Sequence, residues 1–141
     1  PDCPPSAIRH PLPSVMIFGI GTDNLQVERI QKVYDRHGER FVSHLLMPEE
    51  RALLHEKPRI VRYLSMRFAA KEAIVKAMGT GFAHGMWLRD CGIVPNAWGR
   101  PEIVWSARGR EICDKLGIGE GHITLTDEAG LVVAVAVLMK K

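Results

Sequence analysis

The chain is poor in the residues that staple, stack or span. Only three cysteines occur among its 141 residues, at positions 3, 91 and 113 and without a C-x-x-C spacing. That excludes a disulfide framework and a thiolate zinc site, and it reads as reduced thiols in a cytoplasmic protein. Aromatic residues make up 6% and are not interleaved with the basic ones, so the stacking platform of a nucleic-acid binder is missing. The longest apolar stretch, 131–139, is strand-sized and far short of the ~18–20 residues of a membrane-spanning helix. The six histidines show no H-E-x-x-H or other metal spacing, there is no G-x-S-x-G elbow, and no cysteine–histidine pairing is evident. Zinc chemistry and covalent nucleophilic catalysis therefore lack support. Gly79-Thr80-Gly81 follows a helix-like segment instead of opening one, which excludes a Walker loop or a dinucleotide fingerprint.

What is present fits one globular domain. Hydrophobic residues are 46% and charged residues 25%, and a chain of this size buries enough surface for a packed core without staples. The net charge of +3 favours anionic partners without choosing among nucleic acid, phosphate cofactor and acidic protein. Five of the nine prolines fall in the first thirteen residues. Residues 1–14 read as a poorly structured extension and 15–141 as the single domain, with Met16 as the expected biological start.

The order of elements is legible in outline. Residues 15–20 are apolar and partly β-branched and read as a strand, after which Asp23 or Asn24 is placed to cap a helix running to Gly38. Helical turns follow at 41–46 and from Pro48. Residues 59–78 have no internal glycine or proline and read as a long helix stopped by Gly79. Short strands are expected at 86–88, 92–94 and 102–105, with a turn at 96–99, then a helix at 107–116. A terminal hairpin pairs 123–126 with 131–138. The last strand is apolar on both faces and reads as an inner strand, its alanine face open to close approach by a helix or another subunit.

Two carboxylates stand out. Projected at 100° per residue, Val61, Leu64, Phe68 and Val75 form an apolar stripe on the long helix, and Glu72 falls within it. A carboxylate there needs a cation or several donors. With Asp23 it offers two hard oxygen ligands, the number Mg²⁺ commonly takes from a protein when phosphates and water supply the rest. Arg59, Arg62, Arg67, Lys71 and Lys76 lie on or just before the same helix and suit a phosphate-rich substrate. The plainer alternatives are a helix cap for Asp23, a buried ion pair for Glu72, a solvated face for the basic run and a helix C-cap for the glycines.

These residues carry a resemblance. Phe18-Gly19-Ile20-Gly21-Thr22-Asp23, Val27-Glu28-Arg29-Ile30, and Arg67-Phe68-Ala69-Ala70-Lys71-Glu72-Ala73 with Lys76-Ala77-Met78-Gly79-Thr80-Gly81 resemble the signature blocks of the holo-[acyl-carrier-protein] synthase family, the bacterial group I 4′-phosphopantetheinyl transferases. Order and spacing match from Met16 to about Met139. The resemblance implies an α+β fold, mainly antiparallel sheet packed against a long helix. It implies a homotrimer with active sites between subunits. It also implies Mg²⁺-dependent transfer of 4′-phosphopantetheine from coenzyme A to a serine of acyl carrier protein, releasing adenosine 3′,5′-bisphosphate in fatty acid biosynthesis. On the matching positions, Asp23 and Glu72 would hold Mg²⁺ and Lys76 would contact the pyrophosphate. Gly79, Thr80 and Gly81 would line the nucleotide site. Arg67, with Arg59 or Arg62, would hold the phosphates of coenzyme A, and Arg29 and Arg36 would face the acidic carrier protein. The chain departs from the common pattern at Gln26 (often glutamate), Arg100 (often lysine) and Asp127 (often histidine). The acceptor of the serine proton stays open among a metal-bound water, Glu72 and a carboxylate near the carrier serine. A non-catalytic binder of nucleotides or acidic proteins is the competing reading, and carboxylates inside an anion site argue against it.

Overall fold

Glycine at positions 19 and 21 lets a helix lie directly on the first strand, and much of the architecture follows from that contact. The computed structural model describes residues 16–56, 58–82 and 85–141; the proline-rich extension expected at 1–14 lies outside them. β1 (Ile17–Gln26) leads into α1 (Val27–His37), α2 (Glu39–Leu45) and α3 (Pro48–Ala52), and then into the long α4 (Ile60–Met78). A hairpin of β2 (Cys91–Pro95) and β3 (Pro101–Trp105) follows, then α5 (Ala107–Leu116) and a second hairpin of β4 (Ile118–Glu128) and β5 (Leu131–Lys140). β5 lies between β1 and β4 in an antiparallel sheet, and β2 and β3 form a separate antiparallel pair. The α+β class, the antiparallel strands and the long helix are those read from the sequence.

α4 packs across β1 and β5. A Cβ placed on Gly19 lies 1.9 Å from the carbonyl oxygen of Ala77, and one on Gly21 lies 2.0 Å from that of Ala73. Only a bare backbone fits between strand and helix there. On β5 the buried residues are Val132, Ala134, Ala136 and Leu138, while Val133, Val135 and Val137 on the other face stay half-buried. The inner position of the last strand is as expected. Of the two expected occupants of the alanine face it is a helix, α4, that lies there together with the glycines of β1, and the valine face is left open.

Three local expectations are corrected. The first strand does not stop at Ile20 but runs to Gln26, so Asp23 and Asn24 are strand residues, and the N-cap position of α1 falls to Gln26 without a side-chain capping bond. Pairing with β5 from Ile17↔Met139 to Gln26↔Leu131 holds the strand that far. The apolar stripe of α4 is not its one core face. Val61 and Phe68 are only half-buried, whereas Ala69, Ala70, Ala73 and Ile74 are fully buried, because the sheet lies on one side and α1, α2 and β2 on others. Residues 86–88 form no strand. The Asp90 carboxylate accepts from the Trp87 N–H at 2.9 Å and the Ser106 hydroxyl at 2.8 Å, folding the chain into a 3-10 turn at Leu88–Asp90.

The β4–β5 turn carries a measurable strain. Ala129 has φ +51° and Gly130 φ +78°, the pair of positive values that a two-residue hairpin turn requires and that asparagine–glycine satisfies best. A left-handed alanine costs on the order of 1 kcal/mol. Ala129→Asn is therefore expected to stabilise the fold by about 0.5–1 kcal/mol in urea unfolding; an unchanged midpoint would contradict the strain.

Candidate functional site

Asp23, Glu72 and Lys76 meet where β1 crosses α4. Asp23 is two residues beyond Gly21 on the strand face turned to the helix, so the close approach at Gly21 delivers its carboxylate to α4. Lys76 Nζ donates to Asp23 Oδ1 and to the Thr22 carbonyl, both at 3.1 Å. Glu72 sits one helical turn before Lys76 and is half-buried. Lost hydration, and then the neighbouring Asp23 charge, hold the Glu72 carboxyl above its ordinary range, against the opposite pull of Lys76 and Arg29. Gln26 ends β1 exposed to solvent, on the face opposite Asp23. Among the described residues no cluster of three or more His, Cys, Asp or Glu side chains that could hold a metal ion occurs, and what stands at this crossing is a carboxylate pair.

A cleft of about 430 Å³ opens beside Glu72, lined mainly by apolar side chains including Phe68, Phe82, Met86 and Trp87. Trp87 is fixed from behind: the Arg108 guanidinium lies 4.5 Å over its ring and pairs with Asp90. Gly79 and Gly81 both adopt positive φ, and their N–H groups donate to the Lys76 and Val75 carbonyls. They terminate the helix, and those two donors are not free for a phosphate. No atom lies within 4 Å of a Cβ placed on either glycine, so the segment remains open on its outer side.

The arginines lie elsewhere. Arg59, Arg62 and Arg67 line a second cleft of about 390 Å³ between the start of α4 and the β2–β3 hairpin. Arg62 is held by Asp127 at the end of β4, its Nη2 donating to Asp127 Oδ1 at 3.1 Å. That bond keeps the Asp127 carboxyl below its usual range. Arg67 is buried, with its guanidinium 3.8 Å over the Tyr63 ring. The ten residues from Arg62 to Glu72 span about 15 Å of helix. Within one chain the outer arginines and the carboxylate pair are therefore not parts of one compact pocket.

Lys71 belongs to neither cleft. It is fully buried and donates to the carbonyls of Leu45 and Leu88 at 2.7 Å and of Cys91 at 2.8 Å. It also pairs with Glu50 Oε1 at 2.7 Å. The expectation that it joins the phosphate-facing cations is corrected: an ammonium with four acceptors around it ties α2, α4 and β2 together. Glu50 is the residue the sequence reading missed. Its one visible signal is its place three residues after Met47, whose N–H its Oε1 accepts at 3.1 Å, and that pattern alone reads as a surface cap. Arg29 and Arg36 are exposed on α1. Arg29 is close enough to Glu72 to influence its charge; Arg36 follows two turns on. Cys91 and Cys113 are free and buried, their thiols pushed up to about 12 and about 11 by lost hydration.

A profile described as the 4′-phosphopantetheinyl transferase superfamily matches residues 19–136. The chain is 40% identical over 124 residues to a holo-[acyl-carrier-protein] synthase of Halorhodospira halophila, spanning 88% of this chain and 98% of that one. Its fold is similar to the crystal structure of holo-[acyl-carrier-protein] synthase from Neisseria meningitidis, at 36% identity and TM-score 0.84 over 87% of this chain and 98% of the other. It is also similar to the Helicobacter pylori enzyme in complex with coenzyme A, at 28% identity and TM-score 0.74 over 84% and 98%.

Proposed function

Given that the chain belongs to the 4′-phosphopantetheinyl transferase superfamily, we propose that it transfers 4′-phosphopantetheine from coenzyme A to a serine of an acyl carrier protein, with Asp23, Glu72 and Lys76 at the reacting phosphates. The observation that carries this assignment is the carboxylate pair beside Lys76 at the crossing of β1 and α4. The Asp23 charge adds to the raised proton affinity of Glu72, and paired carboxylates gain nothing in a site for anions alone. They gain a great deal if a hard dication sits between them and the phosphates. The donor set thus fits Mg²⁺, held by Asp23 and Glu72. Such an ion, when bound, neutralises charge on the pyrophosphate oxygens.

The chain's own residues then have separable tasks. Lys76, braced by Asp23 and the Thr22 carbonyl, presents its ammonium to the departing phosphate. The serine hydroxyl attacks the β-phosphorus, a new P–O bond forms, and the bond to the bridging oxygen breaks, releasing adenosine 3′,5′-bisphosphate. The serine proton needs an acceptor, and Glu72 or a water beside the carboxylate pair is placed to take it. Positioning and charge neutralisation dominate reactions of this kind.

We assign Arg59, Arg62 and Arg67 to the phosphates of coenzyme A, contributed by a neighbouring subunit. The 15 Å rise along α4 separates the outer arginines from the carboxylates of their own subunit, and a homotrimer with sites between subunits resolves that separation. The open face of the sheet supports it, with Val133, Val135 and Val137 in a row beside Ile20, which is 60% exposed. The expected solution mass by sedimentation is that of three chains, and a monomeric mass would remove the composite site. Among the described residues no helix is long and apolar enough to cross a membrane.

The deciding experiment is an intact-mass assay with apo acyl carrier protein, coenzyme A and Mg²⁺. The expected product is a phosphopantetheine adduct on the carrier; no adduct across several carriers would favour a binding module. Arg29, Lys32 and Arg36 present an exposed basic face on α1 for the acidic carrier. Screening is therefore expected to raise KM for the carrier as ionic strength rises from 0.05 to about 0.5 M, and a flat KM would remove α1 as the docking helix.

A further inference from the structure

Arg67 belongs to a buried charge cluster with one cation too many. Glu50 and Lys71 are fully buried, and the Arg67 side chain is nine-tenths buried. Glu50 Oε1 already accepts from Met47 N–H and Lys71, and Oε2 accepts from Ile93 N–H at 3.1 Å. Arg67 Nε stands 4.0 Å from Oε2, outside hydrogen-bond reach, and it is the one buried side-chain polar atom among the described residues without a partner. One carboxylate thus faces two cations, and Lys71 has taken it. The surplus positive charge lies against the arginine-lined cleft.

What holds this guanidinium is a ring. Tyr63, one helical turn earlier, is buried, and its hydroxyl donates to the Glu50 carbonyl. The ring is thereby pinned, and Arg67 rests on it 3.8 Å from the centroid. Burial lowers the proton affinity of Arg67, the mark of a cation short of counter-charge. Around it, Arg62 is engaged by Asp127, and Arg59 and Arg62 are exposed, so Arg67 is the deep, rigid cation of the cleft. An arginine already stacked in place gives up little side-chain freedom when an anion arrives.

We propose that Tyr63 is a positioning residue: its ring, pinned through Glu50, holds Arg67 flat and preformed for a phosphate of the nucleotide half of coenzyme A. This rests on the transferase reading above and adds to it a residue of the cleft wall that acts through Arg67.

The test uses the full chain with adenosine 3′,5′-bisphosphate as probe in calorimetric titration, alongside steady-state transfer. Tyr63→Leu removes the ring and keeps apolar bulk. It is expected to weaken bisphosphate binding and raise KM for coenzyme A by roughly tenfold, the scale of a desolvated cation–ring contact, with kcat and the carrier KM within about twofold. Tyr63→Phe, which keeps the ring, is expected to stay within about threefold of wild type in both. Arg67→Lys keeps the charge but cannot lie flat, and it is expected to lose affinity by at least roughly tenfold; it tests the platform even where Tyr63→Leu fails to fold. Wild-type affinity in a folded Tyr63→Leu, or in Arg67→Lys, overturns the proposal, as does equal loss in Tyr63→Phe and Tyr63→Leu. Failure of the parent reading looks different, because then wild-type protein neither binds the bisphosphate nor modifies the carrier.

Discussion

Asp23→Asn and Glu72→Gln are each expected to lower kcat/KM for transfer by at least about a hundredfold, the scale seen when one preorganised electrostatic group is removed from a polar reaction. Neither change is expected to unfold the protein. Asp23 and Glu72 are half-buried at the crossing of β1 and α4, and the amides preserve their shape. The sign for Glu72 can be worked out. Its carboxyl is held above the ordinary range by lost hydration and by Asp23. The folded protein therefore binds that proton more tightly than the unfolded chain does. The ionised group costs stability at neutral pH, and this cost disappears as pH falls through the window just above the usual carboxylate range. The Glu72→Gln protein should thus melt no lower than wild type in the absence of Mg²⁺ and should lack this pH-dependent gain. Added Mg²⁺ should raise the wild-type midpoint and leave both variants unmoved, since only a ligand that prefers the folded state stabilises it. Near-wild-type transfer by either variant at saturating Mg²⁺ would remove the metal assignment, whatever the melting data show.

Gly21→Ala is expected to be strongly destabilising. The added carbon meets the Ala73 carbonyl oxygen at 2.0 Å and the Ala77 nitrogen at 2.6 Å. Both are backbone atoms of a helix packed between the sheet and α1, so relief requires the whole of α4 to move. Overpacking of that kind costs about 3 kcal/mol or more. Gly79→Ala makes the informative control. Its φ is +77° and no atom lies within 4 Å of the new carbon, so only backbone conformation resists it, at about 1 kcal/mol. Denaturant midpoints should rank Gly21→Ala well below Gly79→Ala, which should lie below wild type. Equal losses would mean that strand and helix can part at little cost. Any residual Gly21→Ala protein should also bind Mg²⁺ poorly, because the same contact sets the distance between Asp23 and α4.

The sequence carried the class of the fold and the pairing of Asp23 with Glu72, and it misread how that pairing is built. Asp23 looks like a helix cap because strand and helix signals overlap after Gly21; pairing with β5, which no local pattern announces, carries the strand on to Gln26. Glu72 draws attention on the assumption that one face of its helix is core, yet α4 is covered on several sides and Glu72 opens onto a cleft. Lys71 illustrates a different limit. One position from Glu72 and about one turn from Arg67, it is in sequence indistinguishable from its basic neighbours. Its burial depends on Glu50 and on three carbonyls distant in the chain. Long-range electrostatic partners leave no periodicity to read, so both ends of that ion pair were hidden until the chain was folded. The arginines read in sequence as candidate phosphate ligands, but their separation from the carboxylates appears only once the helix is drawn to scale.

The buried thiols have a consequence for handling this protein. Coenzyme A and the pantetheine arm it donates both end in a free thiol, and air oxidation of coenzyme A gives a disulfide that exchanges with any accessible thiolate. Cys91 and Cys113 are shut away from solvent, and their proton affinities leave almost no thiolate at neutral pH, so neither is an exchange partner. At these two positions the catalyst is chemically deaf to the redox state of its own substrate.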